Sequence, residues 1–143
     1  MKYEVSVTIN KSIDEVVSVL RSREHSLKWI KNLKEFELIH GEMDSLNSKY
    51  KMVFKGKKKD TVMFETITEF DPPHKITTVY EAGSVWNECI NLFHGHDDHT
   101  HYKMKTEFKF PWYMSVFIWM FKPMFKNETL SGLNDFKKYV ESL

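Results

Sequence analysis

Residues 110–143 have the sequence FPWYMSVFIWMFKPMFKNETLSGLNDFKKYVESL, and the rest of the chain must cover its apolar side chains. The first half is apolar on every side. In the second half, apolar residues recur at steps of three and four, as on one face of a helix; they are Leu130, Leu133, Phe136, Val140 and Leu143. Pro111 fits the first turn of a helix, whereas Pro123 would kink or split one. We predict one long C-terminal helix, bent near Pro123, that packs on a large partner surface.

The composition indicates a single domain over residues 1–143, long enough for a substantial core. The formal net charge is +1, so no overall field attracts nucleic acid or an anionic membrane. Cys89 is the only cysteine, which rules out an intrachain disulfide and favours a reducing compartment. The N-terminal residues alternate in polarity and lack the apolar core of a signal peptide. We therefore expect a cytoplasmic protein that binds no nucleic acid.

The longest apolar run, residues 110–121, is too short to cross a membrane. It has 12 residues, flanked by Lys109 and Lys122, whereas a membrane-spanning helix needs about 20. We predict no transmembrane segment, although a helix of this composition can lie on a membrane surface.

The chain before this run alternates between strand and helix patterns. Residues 3–9 alternate with period two, as a half-buried strand does. Ser12 and Glu15 have the spacing of a capping box, which predicts a helix over 13–20, and a second short helix follows over 24–30. Further strand patterns cover 34–41, 49–55, 61–70, 76–82, 85–94 and 100–110. We predict an α+β domain: a curved antiparallel sheet of about six to seven strands grips the C-terminal helix, and two short helices follow the first strand.

Several local features occur in a defined order along the chain. They are the capped helix over 13–20, Trp29 on the next helix, Gly41-Glu42 at a strand end, Asp71-Pro72-Pro73-His74 between two strands, Trp86 and Glu88 on the penultimate strand, and the closing phrase LNDFKKYVE at 133–141. In this order they resemble the START-like, or helix-grip, superfamily, and within it the polyketide cyclase/dehydrase and lipid-transport group. The resemblance implies an internal apolar cavity between the sheet and the C-terminal helix. It does not imply a reaction, because the same fold serves carriers, receptors and cyclases.

Alternation along the strands assigns side chains to the two faces of the sheet. On the last strand Tyr102, Met104 and Phe108 are apolar, so even-numbered residues are expected to point toward the C-terminal helix. The large apolar residues of the preceding strand are also even-numbered, and Glu88 shares their parity. A carboxylate there is a candidate for orienting a ligand or for acid–base chemistry. The expected ligand contacts are Trp29, Phe54, Phe64, Tyr80, Trp86, Glu88, Tyr102, Phe108, Phe117, Phe121 and Phe125.

Four histidines surround the turn between the last two strands, a composition that metal sites use. They are His94, His96, His99 and His101. A three-residue loop, 97–99, keeps the even-numbered residues of both strands on one face, and the first two histidines then point away from the last two. A two-residue loop would gather all four, but it would turn three large apolar side chains toward the face of two lysines. We predict a polar hairpin tip, no metal site and no cofactor.

Residues 112–121, called the aromatic segment below, contain Trp112 and Trp119 among apolar residues only, apart from one serine. A helix that is apolar on all sides must be covered on all sides, and a single sheet covers one. We expect the segment to line the cavity and to contact a second copy of the chain, giving a homodimer. Core packing alone and contact with a membrane surface through the two tryptophans remain alternatives.

These patterns favour a binding or transport module for a small hydrophobic ligand, such as a lipid, an acyl chain or a polyketide-like molecule. One alternative is a cyclase- or dehydratase-type enzyme with Glu88 as acid or base. Another is a peripheral membrane or protein-interaction domain that uses the aromatic segment. The non-catalytic module is preferred, because no set of polar residues in the sequence converges as a catalytic triad would.

Overall fold

A computed structural model describes the whole chain, Met1 to Leu143, apart from the side chain of Val116. The elements follow in the order β1 (Lys2–Ile9), α1 (Ile13–Arg21), α2 (Arg23–Trp29), β2 (Leu33–His40), β3 (Lys49–Phe54), β4 (Thr61–Asp71), β5 (Lys75–Ala82), β6 (Val85–His96), β7 (His99–Lys109), α3 (Trp112–Ile118), a 3₁₀ turn (Trp119–Phe121) and α4 (Lys122–Glu141).

The strands form one curved antiparallel sheet in the order β1-β7-β6-β5-β4-β3-β2. From β2 to β7 each strand pairs with its neighbour in sequence, and β1 pairs with β7. The first two strands are therefore the two edges of the sheet, and α1 and α2 carry the chain between them. The helix α4 packs on β1. The predicted α+β class, with a sheet gripping a C-terminal helix, is confirmed.

The local signals at the start of the chain are also confirmed. Strand β1 alternates strictly between exposed and buried residues. The helix α1 begins after Ser12, whose side-chain oxygen accepts a hydrogen bond from the backbone N–H of Glu15 at 3.3 Å. This bond satisfies one of the free N–H groups of the first helical turn.

The C-terminal segment differs from the predicted single bent helix. It contains two helices, α3 and α4, separated by the 3₁₀ turn. Pro123 lies in the first turn of α4, where its missing N–H costs no hydrogen bond, so the break precedes the proline. None of the helices in the described part of the chain has the length and hydropathy that crossing a bilayer requires.

The predicted stripe on α4 is buried over most of its length. Leu133, Phe136 and Val140 are buried, and Leu130 packs partly against them. Burying each large apolar side chain contributes about 1.5–3 kcal/mol, so the stripe anchors α4 to the sheet. Leu143 is the exception, because it follows the end of the helix and is exposed.

Candidate functional site

An internal cavity lies between the sheet and the helices α1, α2 and α4. Its volume is about 120 Å³. The apolar part of its wall includes Leu20, Met52, Ile76, Met104, Leu133 and Phe136, and the polar part includes Arg21, Ser26, Glu65, Thr78, Tyr80, Asn91 and Tyr102. The face of the sheet that lines this cavity is called the inner face below.

The cavity is smaller than the apolar segment at the C-terminus led us to expect. Typical ligand pockets measure about 300–1,000 Å³, whereas an apolar cavity of about 150 Å³ accepts benzene. The interior is narrow because aromatic rings fill it. Phe136 from α4 lies 5.0 Å from Trp29 and 6.2 Å from Tyr102, measured between ring centroids. The remaining space suits a single small ring or a few waters.

Arg21, Glu65 and Tyr80, called the polar cluster below, form one wall of the cavity. An Arg21 Nη2–H donates to Glu65 Oε1 at 3.0 Å, and the Tyr80 hydroxyl donates to Glu65 Oε2 at 2.7 Å. Only 2% of the Glu65 side chain is exposed. Both carboxylate oxygens are therefore occupied by charge-assisted hydrogen bonds, which are the stronger kind.

The charges in the polar cluster fix the protonation of its members. Burial lowers the pKa of Arg21, but the charge and hydrogen bond of Glu65, together with Tyr80 and Asp44, more than offset this effect, so the pKa lies above the usual value. Burial and the same carboxylate raise the pKa of Tyr80 well above its usual value. The arginine thus stays charged, and the tyrosine stays a hydrogen-bond donor. Asp44 Oδ1 accepts a further bond from Arg21 Nε at 3.2 Å.

A second polar pair, Asn91 and Tyr102, lines the cavity from strands β6 and β7. The Tyr102 hydroxyl donates to Asn91 Oδ1 at 2.6 Å, and Asn91 Nδ2 donates to the Ile76 carbonyl at 3.1 Å. Burial raises the pKa of Tyr102, which remains neutral. Both side chains are buried, so the pair is a fixed polar feature of a mostly apolar wall.

Two buried polar atoms, on residues that line the cavity, have no hydrogen-bond partner among the described residues. They are Nε1 of Trp29 and Oγ1 of Thr78. An indole N–H can only donate, and leaving it buried and unpaired costs about 1–3 kcal/mol. The Thr78 hydroxyl lies near the Tyr80 phenol without reaching hydrogen-bond geometry. An acceptor placed in the cavity would satisfy Trp29.

The predicted contact residues divide into three groups. Trp29, Tyr80 and Tyr102 line the cavity. Phe54 packs at the edge of the smaller core cluster, beside the cavity rather than on its wall. Phe108 and Phe125, also outside the cavity lining, pack against the larger core cluster. Phe108 stacks on Phe110, and Phe125 makes tilted ring contacts with both. The third group, which lies on the outer face of the sheet or on the surface of the chain, comprises Phe64, Trp86, Glu88, Phe117 and Phe121.

Strand β6 presents the opposite face from the one that alternation predicted. Its odd-numbered residues, including Cys89 and Asn91, are buried on the inner face. Trp86 and Glu88 therefore lie on the outer face, where Trp86 is opposite Lys109 and Glu88 is opposite Glu107. Apolar side chains are tolerated on this face because lysines lie opposite them: Lys109 Nζ is 4.5 Å from the centroid of the Trp86 ring, a cation–π contact.

Phe64 is also on the outer face. It lies 5.2 Å from Lys49 Nζ, while its neighbour Glu65 points inward. A register shift between Ile67 and Glu69 on β4 changes the parity along the strand. A single bulge of this kind is enough to reverse an assignment made by counting residues.

The hairpin between β6 and β7 has a two-residue loop, Asp97-Asp98, instead of the predicted three residues. His94 is opposite His101, and His96 is opposite His99, so the four histidines share the outer face. The expectation that they diverge is wrong. Even so, no three histidine, cysteine or acidic side chains of the described residues are arranged as metal ligands.

The aromatic segment does not line the cavity. Phe117 and Phe121 are 64% and 48% exposed, and Trp112 and Trp119 are more exposed still. None of the described side chains of this segment joins either core cluster. Its placement as cavity lining is therefore corrected: the segment lies on the surface of this chain.

Cys89 is buried on the inner face, beside Asn87 and Thr106. Burial raises the pKa of its thiol to about 11, so the thiol is protonated at neutral pH. A protonated, buried thiol is a poor nucleophile, in agreement with a structural role.

Comparison with models of protein families and with curated proteins finds no match. Solved structures do match along nearly the whole length. Ara h 8.0201 is 13% identical, with a TM-score of 0.77, over 100% of this chain and 99% of that one. The Zhui aromatase/cyclase from Streptomyces sp. R1128 is 13% identical, with a TM-score of 0.77, over 99% and 93%.

A third similar structure is norcoclaurine synthase from Thalictrum flavum, which is 14% identical, with a TM-score of 0.70, over 98% of this chain and 86% of that one. All three are START-like proteins of the helix-grip architecture. The chain has the helix-grip fold. At these identities the likeness establishes the fold, and the cavity of this chain has to be interpreted from its own residues.

Proposed function

We propose that this helix-grip chain binds a small, mostly apolar molecule that carries at least one hydrogen-bond acceptor. The observation behind the proposal is the buried, unpartnered indole N–H of Trp29, a residue that lines the cavity. An acceptor on the ligand would remove the penalty for burying this donor. Apolar walls with a few fixed polar groups are typical of small-molecule sites.

The size of the cavity limits the ligand. A volume of about 120 Å³ suits a single ring or a short branched chain. An intact lipid or a multi-ring polyketide would require α4 or α2 to move. The ligand class predicted from sequence is accordingly narrowed to small apolar molecules.

The polar cluster and the Asn91–Tyr102 pair give this site an orientation. Both carboxylate oxygens of Glu65 already accept hydrogen bonds, from Arg21 and Tyr80, and Asn91 Oδ1 accepts one from Tyr102. These groups form a preorganised polar wall, and Trp29 on α2 supplies the donor that is still free. A ligand with an acceptor therefore gains most when that atom points toward Trp29.

The enzyme alternative loses the residue on which it depended. Glu88 lies on the outer face of the sheet, away from the cavity. Two similar structures bear the names of enzymes, an aromatase/cyclase and a synthase. The carboxylate inside this chain is instead Glu65, whose two oxygens are already engaged, and a general base needs an available oxygen.

Phenol and toluene provide a matched pair of probes, because they have similar size and only phenol offers an oxygen. We expect phenol to bind and Trp29→Phe to lower the ratio of phenol affinity to toluene affinity about tenfold, since one hydrogen bond is lost. Titrations followed by two-dimensional NMR would give both dissociation constants. The ratio corrects for the extra space that the smaller ring leaves beside Phe136.

Thr8→Val, a substitution on the exposed side of β1, is the control and should leave the ratio unchanged. Failure of both probes to bind at millimolar concentration would count against the proposal. A ratio that Trp29→Phe does not alter would show that the indole N–H does not select the ligand.

A further inference from the structure

The aromatic segment exposes large apolar side chains that no other part of the chain covers. The exposed fractions are 81% for Trp112, 58% for Tyr113, 64% for Phe117 and 69% for Trp119. Isolated exposed apolar residues are common, but a contiguous set of this size marks a contact with another surface. The segment is therefore placed for binding rather than for folding.

The charged residues within and next to the segment in the sequence are all lysines. No Asp or Glu occurs from Phe108 through Asn127, and this stretch contains Lys109, Lys122 and Lys126. Lys109 and Lys122 line one surface groove together with Trp119 and Ile118. The overall charge of +1 hides this local excess, because the acidic residues lie elsewhere.

We propose that the aromatic segment docks the chain on the surface of an anionic lipid bilayer. Tryptophan and tyrosine prefer the boundary between lipid chains and headgroups, because their rings are apolar and carry one polar group. Lysines beside them attract anionic headgroups. In this arrangement the segment lies along the surface of the bilayer. This agrees with the finding that no helix of the described residues is long and apolar enough to cross a membrane.

A second copy of this chain fits the surface less well than lipid does. In a twofold dimer the same patch meets itself, so Lys109 and Lys122 of one copy would face those of the other. The segment itself contains no acidic residue that would neutralise them. An anionic bilayer neutralises both, and a fluid surface accepts protruding rings without a complementary shape.

Flotation with lipid vesicles tests this inference. We expect the chain to float with vesicles of phosphatidylcholine and phosphatidylserine, to float less with phosphatidylcholine alone, and to be released by high salt. Trp112→Ser/Trp119→Ser should weaken binding at least about tenfold, because two interfacial anchors are lost. Lys109→Gln/Lys122→Gln should weaken binding to the anionic vesicles about fivefold per lysine.

Matched controls are available on the same chain. Lys57→Gln/Lys58→Gln removes the same charge from the exposed loop between β3 and β4, and Leu46→Ser removes an exposed apolar side chain elsewhere. Both should bind vesicles like the unmodified chain. Because all these positions are exposed, unchanged circular dichroism should confirm that each variant folds.

Three results would overturn the inference. One is an unmodified chain that stays in the bottom fraction with both kinds of vesicle. Another is equal weakening by the two lysine pairs, which would reveal general charge attraction. The third is a chain that forms a dimer in solution, loses it with Trp112→Ser/Trp119→Ser and ignores vesicles, which would assign the segment to self-association.

Discussion

Glu65→Leu is expected to lower the free energy of unfolding by about 3–5 kcal/mol, because it leaves the buried Arg21 guanidinium without its main counter-charge. The side chains of Arg21 and Glu65 are 11% and 2% exposed. Bulk water therefore replaces the lost carboxylate only in part. Asp44 remains as a partner, but its side chain is 37% exposed and screened by solvent. Urea unfolding followed by circular dichroism measures the change.

The double variant Arg21→Leu/Glu65→Leu distinguishes an unpaired charge from lost packing. Replacing both members of a buried pair by apolar groups is often close to neutral, so the double variant should be more stable than Glu65→Leu alone. Glu69→Leu is the control, since Glu69 lies on the same strand and is bonded to Lys75 near the surface. Additive losses in the double variant would mean that the pair does not act as a unit.

Phe136→Ala is expected to cost about 3–5 kcal/mol of unfolding free energy. Only 1% of Phe136 is exposed, and its ring contacts Trp29 from α2 and Tyr102 from β7. Truncation removes these contacts and enlarges the cavity that the ring now limits. Chemical denaturation at constant m-value provides the measurement.

Phe117→Ala is the matched control for this prediction. The same side chain is removed from the aromatic segment, where it is 64% exposed, and stability should change by less than about 0.5 kcal/mol. Equal losses at the two positions would contradict the division of the C-terminal apolar residues between a buried stripe on α4 and an exposed aromatic segment.

The fold could be predicted because its main signals are local. The alternation on β1, the cap at Ser12 and the stripe from Leu133 to Val140 each reflect a single element and the core beneath it. Their order along the chain then selects one architecture. Pro123 also predicts an interruption of the helix. Because a proline is tolerated in the first turn of a helix, the interruption lies just before Pro123 rather than at it.

The inner face of β6 could not be predicted from apolar burial alone. Burial energy favours placing Trp86 and its even-numbered neighbours in the core. On the outer face, however, Lys103, Lys105 and Lys109 lie opposite them, and lysine side chains have long aliphatic stems that can shield apolar neighbours from water. The short loop Asp97-Asp98 was the better signal, since two-residue loops are common in hairpins and Asp97 adopts the required positive φ of 55°.

The polar cluster was missed for a different reason. Arg21 ends an amphipathic helix, and Glu65 lies on a strand with a bulge, so both would ordinarily be assigned to the surface. Their pairing joins residues that are 44 positions apart, and no local pattern reports such a contact. Only the three-dimensional structure shows that they share the wall of a cavity.

The location of a bound ligand tests the central claim most directly. We expect intermolecular nuclear Overhauser effects from the ring protons of phenol to the methyl groups of Ile76 and Leu133, which line the cavity. Ile118, in the aromatic segment, serves as the internal control and should show none. Effects confined to Ile118, with none at Ile76 or Leu133, would contradict an internal binding site.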